Sequence, residues 1–322
     1  MHNIEILSNG YTGDLRNSKV KDLPLSYALY FMPEHLPKPL FILSEFRDRF
    51  SQLNSNIQAI YDLGCGTGTG TIAYKIVFND DIPVVLTDIN MEMLNLASRI
   101  LSKMQFSNFE LLHKNYLRDL KLNDKPSLFI LMNTLSENQK QYENIKYFIK
   151  KILTNTIETT IIIIEPITDS GIKITSSLRK EYSNFVIMPC PSTGSCPMAN
   201  ERDKICRFNL PNSISTTLEP IITARHKSAK FTYLVLSNVL HPQEENLFRV
   251  LNGPIKRNFG YELAVCNQKS IHRLKIRTGN NLEKNRIRSL VANDLIKISK
   301  PDHSLLSPFN SEQIEIIFKN TV

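Results

Sequence analysis

The feature that most constrains this chain is a glycine-rich turn, Asp62-Leu63-Gly64-Cys65-Gly66-Thr67-Gly68, set between an apolar run, IQAIYDL, and a helix-like run, TIAYKIVF. A strand feeding a helix through closely spaced glycines makes a tight turn and lets backbone approach a ligand where any Cβ would intrude. The segments that follow keep the same alternation. IPVVLTD, FELLH, SLFILMN and ETTIIIIEP read as strands, MEMLNLASRILSKM and ENQKQYENIKYFIKKIL as helices. Such alternation predicts a parallel sheet covered on both faces, and a run such as IIIIE, without polar alternation, suits a strand buried on both sides.

Around this core the organisation is also readable. Leu40, Phe41, Leu43, Phe46 and Phe50 recur at roughly helical spacing after the prolines at 33–39, which predicts a helical segment over 1–54. The α/β domain is expected over 55–188 and 228–240, where AKFTYLVLSN reads as a further buried strand of the same sheet. Between them, 189–227 reads as a Cys-rich loop. Residues 241–322 read as a basic C-terminal domain, with YELAVCN and IHRLKIRTG as short antiparallel strands, EKNRIRSLVANDLI as a helix, and a tail without a clear pattern. No apolar run approaches the ~20 residues that span a bilayer, so no membrane segment is predicted. The first residues, MHNIEILSNGYTGDL, show neither a secretory core nor an Arg-rich transit pattern, and the expectation is a cytoplasmic, monomeric protein.

The ligand of the turn follows from its neighbours. Asp62 precedes it, and Asp88 ends the next strand twenty residues past Gly68, where a carboxylate can accept hydrogen bonds from both ribose hydroxyls. Dinucleotide enzymes share this geometry, but the third glycine of a GxGxxG pattern would fall at Thr69. The DLGCGTG form with its leading acid resembles the first motif of class I methyltransferases. That resemblance implies a class I Rossmann-like α/β fold and S-adenosylmethionine as cofactor. Asp62 and the backbone of Gly64, Cys65, Gly66 and Gly68 would then lie against the methionine part, Asp88 against the ribose and Asn115 near the adenine. Asn133 falls at the carboxyl end of its strand, where open α/β sheets hold ligands. For Asn115 and Asn133 ordinary loop hydrogen bonding is the competing reading, and for the Cys65 side chain simple packing. The segment after the fourth strand, MNTLSEN, holds neither an Asn-Pro-Pro-aromatic motif nor a cysteine nucleophile, so no catalytic base is assigned.

Cys190, Cys196 and Cys206 lie within seventeen residues of one another, and Cys266 follows sixty residues later. Four thiols can complete a tetrahedral zinc site or ligate a [4Fe–4S] cluster; the other reading is three free loop thiols. The spacing C-x5-C-x9-C matches neither a zinc ribbon nor a ferredoxin run, and the radical C-x3-C-x2-C pattern is lacking. Pro189-Cys190-Pro191, Cys196-Pro197, Cys206-Arg207-Phe208 and Lys230-Phe231-Thr232-Tyr233-Leu234 together resemble the methyltransferase-like small-subunit proteins of mitochondrial ribosomes and their bacterial relatives. Tyr30 to Glu34, Glu165-Pro166 and Arg249 to Lys256 agree, so the resemblance spans about 24–295. It implies a [4Fe–4S] cluster on the four cysteines, with zinc as the alternative, and a place on a 30S-type particle and its ribosomal RNA. The third cysteine departs from the family in its surroundings, Lys204-Ile205-Cys206-Arg207.

Charge points the same way. The net charge is +8, yet residues 1–200 carry 20 Lys/Arg against 20 Asp/Glu, and 201–322 carry 19 against 11. A basic segment suits a phosphate-rich partner, through counterion release. Arg225, Lys227, Lys230, Lys256, Arg257, Arg273, Lys275 and Arg277 are its candidate contacts; a solvated face without a partner is the plain alternative. Two functions result: a methyltransferase acting on small-subunit ribosomal RNA, or a non-catalytic iron–sulfur assembly factor that binds the RNA and keeps a cofactor pocket.

Overall fold

The computed structural model describes residues 24–120, 124–155, 157–191, 194–197, 206–211, 228–239, 246–267, 270–299 and 309–319. Three helices lead in: α1 (Pro24–His35), α2 (Pro37–Arg49) and α3 (Ser51–Asn56). The first sheet contains β1 (Ala59–Leu63), β2 (Val84–Asp88), β3 (Phe109–His113), β4 (Ser127–Met132), β5 (Thr159–Pro166), β6 (Val186–Met188), β7 (Phe208–Pro211) and β8 (Ser228–Ser237). Its order is β3-β2-β1-β4-β5-β8-β6. The first five strands run parallel, and β8 runs antiparallel to β5.

Five helices connect these strands: α4 (Thr69–Phe78), α5 (Met91–Lys103), α6 (Tyr116–Asp119), α7 (Tyr142–Leu153) and α8 (Asp169–Glu181). In α7, Ile145, Phe148, Ile149 and Ile152 repeat at three and four residues and are all buried. The α5 helix starts where Asn90 accepts from Glu92 N and Met93 N at 3.0 and 3.2 Å. Strand β5 serves both faces, as its unbroken apolar run predicts. Ile162 and Ile164 join the core under α2, α4 and α5; Ile161 and Ile163 join the core under α7 and α8.

A second sheet follows, in the order β14-β12-β11-β9-β13-β15, with β10 on the free side of β11. Its strands are β9 (Leu247–Val250), β10 (Ile255–Arg257), β11 (Gly260–Cys266), β12 (Ile271–Arg277), β13 (Leu295–Ile298), β14 (Phe309–Asn310) and β15 (Ile314–Phe318), with α9 (Asn281–Arg288) packed on it. The antiparallel pair expected at YELAVCN and IHRLKIRTG is present, in register from Tyr261 opposite Ile276 to Cys266 opposite Ile271. Two expectations need correction. The helix read through EKNRIRSLVANDLI stops at Arg288, because Asn293 takes a left-handed φ of 78° and Leu295–Ile298 pairs as β13. The tail from 309 is not patternless, since β14 and β15 close both ends of this sheet.

The Cys-rich stretch is also more than a loop. Both β6 and β7 pair with the same outer edge of β8, Met188 opposite Val235 and Phe208 opposite Phe231. Residues 189–207 are therefore an excursion whose two ends are hydrogen-bonded to one strand. Cys190 packs in the core on the α7 and α8 side, whereas Cys206 packs against the opposite core. The described Cys190 and Cys206 thus lie on opposite sides of the sheet.

Candidate functional site

Strand order reverses between β1 and β4, and the glycine turn lies at the carboxyl end of β1, at that switch point. Gly64, Gly66 and Gly68 have φ of 67°, 53° and 79°, in the left-handed region. A Cβ on Gly64 would collide with Thr134, while one on Gly66 would meet open space. Gly66 N donates to Asp88 Oδ2 at 2.8 Å, and Asn90 N to Asp88 Oδ1 at 2.8 Å, so the end of β2 braces the turn. Asp62 is buried beneath it. Its Oδ2 accepts from Thr71 N at 2.8 Å and from Thr71 Oγ1 at 2.7 Å, pinning the first turn of α4. Burial pushes the Asp62 carboxyl up to about 6 against those hydrogen bonds, and Asp88 adds to the rise. Cys65 is buried, its amide donating to Thr87 O at 2.9 Å and its thiol raised by burial. Asn115 caps α6 by accepting from Leu117 N at 3.0 Å.

Asn133 follows β4 with a left-handed φ of 57°. Its Nδ2 reaches His35 Nδ1 of α1 at 3.3 Å, and its buried Oδ1 has no partner among the described residues. Beside it, Glu165 at the end of β5 accepts from Leu135 N and Ser136 N at 3.0 and 3.2 Å. Burial pushes this carboxyl up to about 7. Lys38 of α2 is buried as well, and burial lowers its ammonium to about 8 although Glu34 and Glu165 oppose the shift. The helical lead-in therefore carries titratable groups to the ligand edge of the sheet. Sequence reasoning missed His35, Lys38 and Glu165 as site residues. The available signal was a charge inside an apolar stripe, since Lys38 and Glu45 share the buried face of α2 with Phe41 and Ile42.

Glu45 anchors a second centre where the two sheets meet. Arg249 of β9 pairs with it through both terminal nitrogens, Arg49 Nη1 donates to Glu45 Oε1 at 2.9 Å, and Tyr233 OH donates to Oε2 at 3.3 Å. Burial pushes the Glu45 carboxyl up, yet the two guanidiniums outweigh it and hold the group below its ordinary value. Arg249 Nε and Nη2 also donate to Pro189 O at 3.0 and 2.8 Å, next to Cys190, and Arg249 stands opposite Cys266 in the β9–β11 register. The cysteine excursion is thereby tied to both sheets. The Cys206 thiol is raised first by burial and then by Cys190, Cys196 and Cys266, so each of those three lies in electrostatic reach of it. Among the described residues no group of three or more His, Cys, Asp or Glu side chains is placed to hold a metal ion.

The basic candidates divide. Arg273, Lys275 and Arg277 project from one face of β12, opposite the buried Leu274 and Ile276. Arg257 and Arg273 flank Glu262 at 3.3 and 3.6 Å, and Lys275 lies 6.0 Å from the ring centre of exposed Phe259. Lys256 is exposed on β10, where its register partner Tyr261 faces the core of this sheet. Lys230 is exposed on β8 of the other sheet, and Arg225 and Lys227 lie outside the described residues.

A five-stranded parallel run, an antiparallel β8 and a glycine turn at the switch point define a class I S-adenosylmethionine methyltransferase-like α/β protein. A family model described as mitochondrial small ribosomal subunit Rsm22 matches residues 22–288, and the chain belongs to the Rsm22 family. Similar solved structures include an rRNA methylase from Streptococcus thermophilus, at 12% identity and a TM-score of 0.35 over 63% of this chain and 98% of that one. A SAM-dependent methyltransferase from Aquifex aeolicus matches at 16% identity and a TM-score of 0.35, over 69% of this chain and 98% of that one. The plantazolicin methyltransferase BamL matches at 10% identity and a TM-score of 0.41, over 74% and 96%. No curated protein sequence matches the chain.

Proposed function

We propose that the chain is an S-adenosylmethionine-dependent methyltransferase acting on small-subunit ribosomal RNA during maturation of a 30S-type particle. The observation that carries this reading is the glycine turn at the switch point, with open space above Gly66 and the Asp88 carboxylate at its lip. The buried, unpartnered Thr67 Oγ1, Thr87 Oγ1 and Asn133 Oδ1 around that turn suit a polar ligand. Asp88 would hold the ribose, the backbone from Gly64 to Gly68 the methionine part, and Asn115 would flank the adenine. Bound there, the cofactor supplies an electrophilic methyl group. Asn133, His35, Lys38 and Glu165 stand where an acceptor base would be presented, and the groups near neutrality, Lys38 and Glu165, can hold or release a proton there. The Arg273, Lys275 and Arg277 face supplies phosphate contacts that fix the RNA, while the target base leaves its stack to reach the sheet edge.

Cys190, Cys196, Cys206 and Cys266 hold a [4Fe–4S] cluster in this reading, with zinc as the alternative. The donor set fits in kind: these are four thiols, and Cys190, Cys196 and Cys266 all lie in electrostatic reach of the buried Cys206. The centre is structural, joining the edge of the first sheet to the end of β11.

A second reading, the assembly factor without catalysis, is favoured by one observation: both Glu165 oxygens are engaged by backbone amides of the loop after β4. Transfer of a radiolabelled methyl group from S-adenosylmethionine to 30S particles taken at successive stages of assembly separates the two. Label in the small-subunit RNA, lost with Asp88→Asn, supports the enzyme. No label at any stage, with assembly still supported by Asp88→Asn, supports the factor.

A further inference from the structure

We infer that Arg179 is the counter-charge of an anionic four-thiolate metal centre, positioned by α8 against Cys190; this deepens the cysteine reading above and rests on it. Arg179 lies in the last turn of α8 and is only 5% exposed. Its Nη2 donates to Cys190 Sγ at 3.3 Å. Its Nε and Nη1 are buried with no partner, and no carboxylate pairs with it among the described residues. Arg249, equally buried, makes the contrast: Glu45 neutralises it, and the Pro189 and Asn293 carbonyls take its remaining hydrogens.

A guanidinium keeps its proton under any condition a protein survives, so Arg179 cannot escape burial by becoming neutral. A buried charge is retained where an opposite charge meets it. A neutral thiol is a weak acceptor and supplies none. Four thiolates around Zn²⁺ or around an oxidised [4Fe–4S] core both leave the centre with two net negative charges, so the argument is the same for either metal. Donation from a guanidinium to a ligating sulfur would orient Cys190 and stabilise that anion, the role that outer-sphere partners play at metal sites generally. Sequence gave no hint of it, because Arg179 is an unremarkable basic residue at a helix C-terminus.

The test uses the full chain purified anaerobically as wild type, Arg179→Gln and Arg179→Lys. Metal content is measured first, then the rate at which a chelator strips the metal, followed by absorbance for iron or a colour reagent for zinc. Gln keeps a donor without charge; Lys restores the charge. We expect loaded wild type, release faster by about 10–100-fold in Arg179→Gln, and substantial rescue in Arg179→Lys, with circular dichroism showing the fold retained. Should Arg179→Gln not fold, Arg179→Met replaces it as the uncharged variant, and its comparison with Arg179→Lys carries the same expectation. Equal release from wild type and the uncharged variant overturns this inference and leaves the cluster reading standing. Wild type without metal overturns both.

Discussion

Asp88 has two partners in the protein and is asked to serve a third. Its oxygens take Gly66 N and Asn90 N, so the carboxylate that would hold the ribose also fixes the turn beneath it. Asp88→Asn keeps the shape and removes the charge. A hydrogen bond to a charged group contributes about 1.5–3 kcal/mol, so S-adenosylmethionine affinity should fall by roughly 10–100-fold in calorimetric titration; an unchanged affinity would show that the cofactor sits elsewhere. Glu165 makes a pH-dependent prediction. Its folded-state value, about 7, is above the ordinary carboxylate value of 4.5, so the native state binds the proton more tightly. The stability tied to that proton is fully present below about 4.5 and is lost as pH rises through about 7. Relative to Glu165→Gln, the wild type should therefore lose stability in urea unfolding between pH 5 and pH 8, whereas parallel profiles would sink the assignment. Of these residues the sequence showed Asp62 and Asp88, because a glycine turn fixes where neighbouring acids must fall. His35 left no sign and Lys38 only a charge inside an apolar stripe, because both reach the sheet edge only through the docking of α1 and α2.

At the scale of elements, periodicity separated strand from helix wherever a segment buried one stripe or both faces, as in β5 and α7. It failed for β7, β13 and β14, which are two to four residues long and owe their conformation to partners far along the chain. The β9–α2 link is of the same kind. Arg249→Met would leave buried Glu45 with Arg49 as its one guanidinium and the Tyr233 hydroxyl, and breaking such a pair typically costs about 3–5 kcal/mol; stability in chemical denaturation should drop accordingly, and a loss below about 1 kcal/mol would mean the junction relaxes without it. On β12, Arg273→Glu with Lys275→Glu should weaken binding to small-subunit RNA and flatten its salt dependence by about two counterions' worth of slope. Cofactor affinity should not change, since β12 belongs to the other sheet.

Across the whole molecule, the four cysteines come from an excursion on the first sheet and from the end of a strand in the second. If they hold the proposed metal centre, Cys266→Ser should both empty it and expose the second sheet to limited proteolysis; a metal-free variant as resistant as wild type would show that Arg249 and Glu45 hold the junction unaided.

That ion pair also has a bearing on birth. Glu45 and Arg249 are separated by 204 residues, so the carboxylate of α2 emerges from the translating ribosome long before the guanidinium that settles it. At synthesis rates of about 5–20 residues per second the wait is roughly 10–40 s. Over that interval Glu45 has Arg49 of its own helix as its guanidinium partner, and the junction with the second sheet closes only once Arg249 has been made.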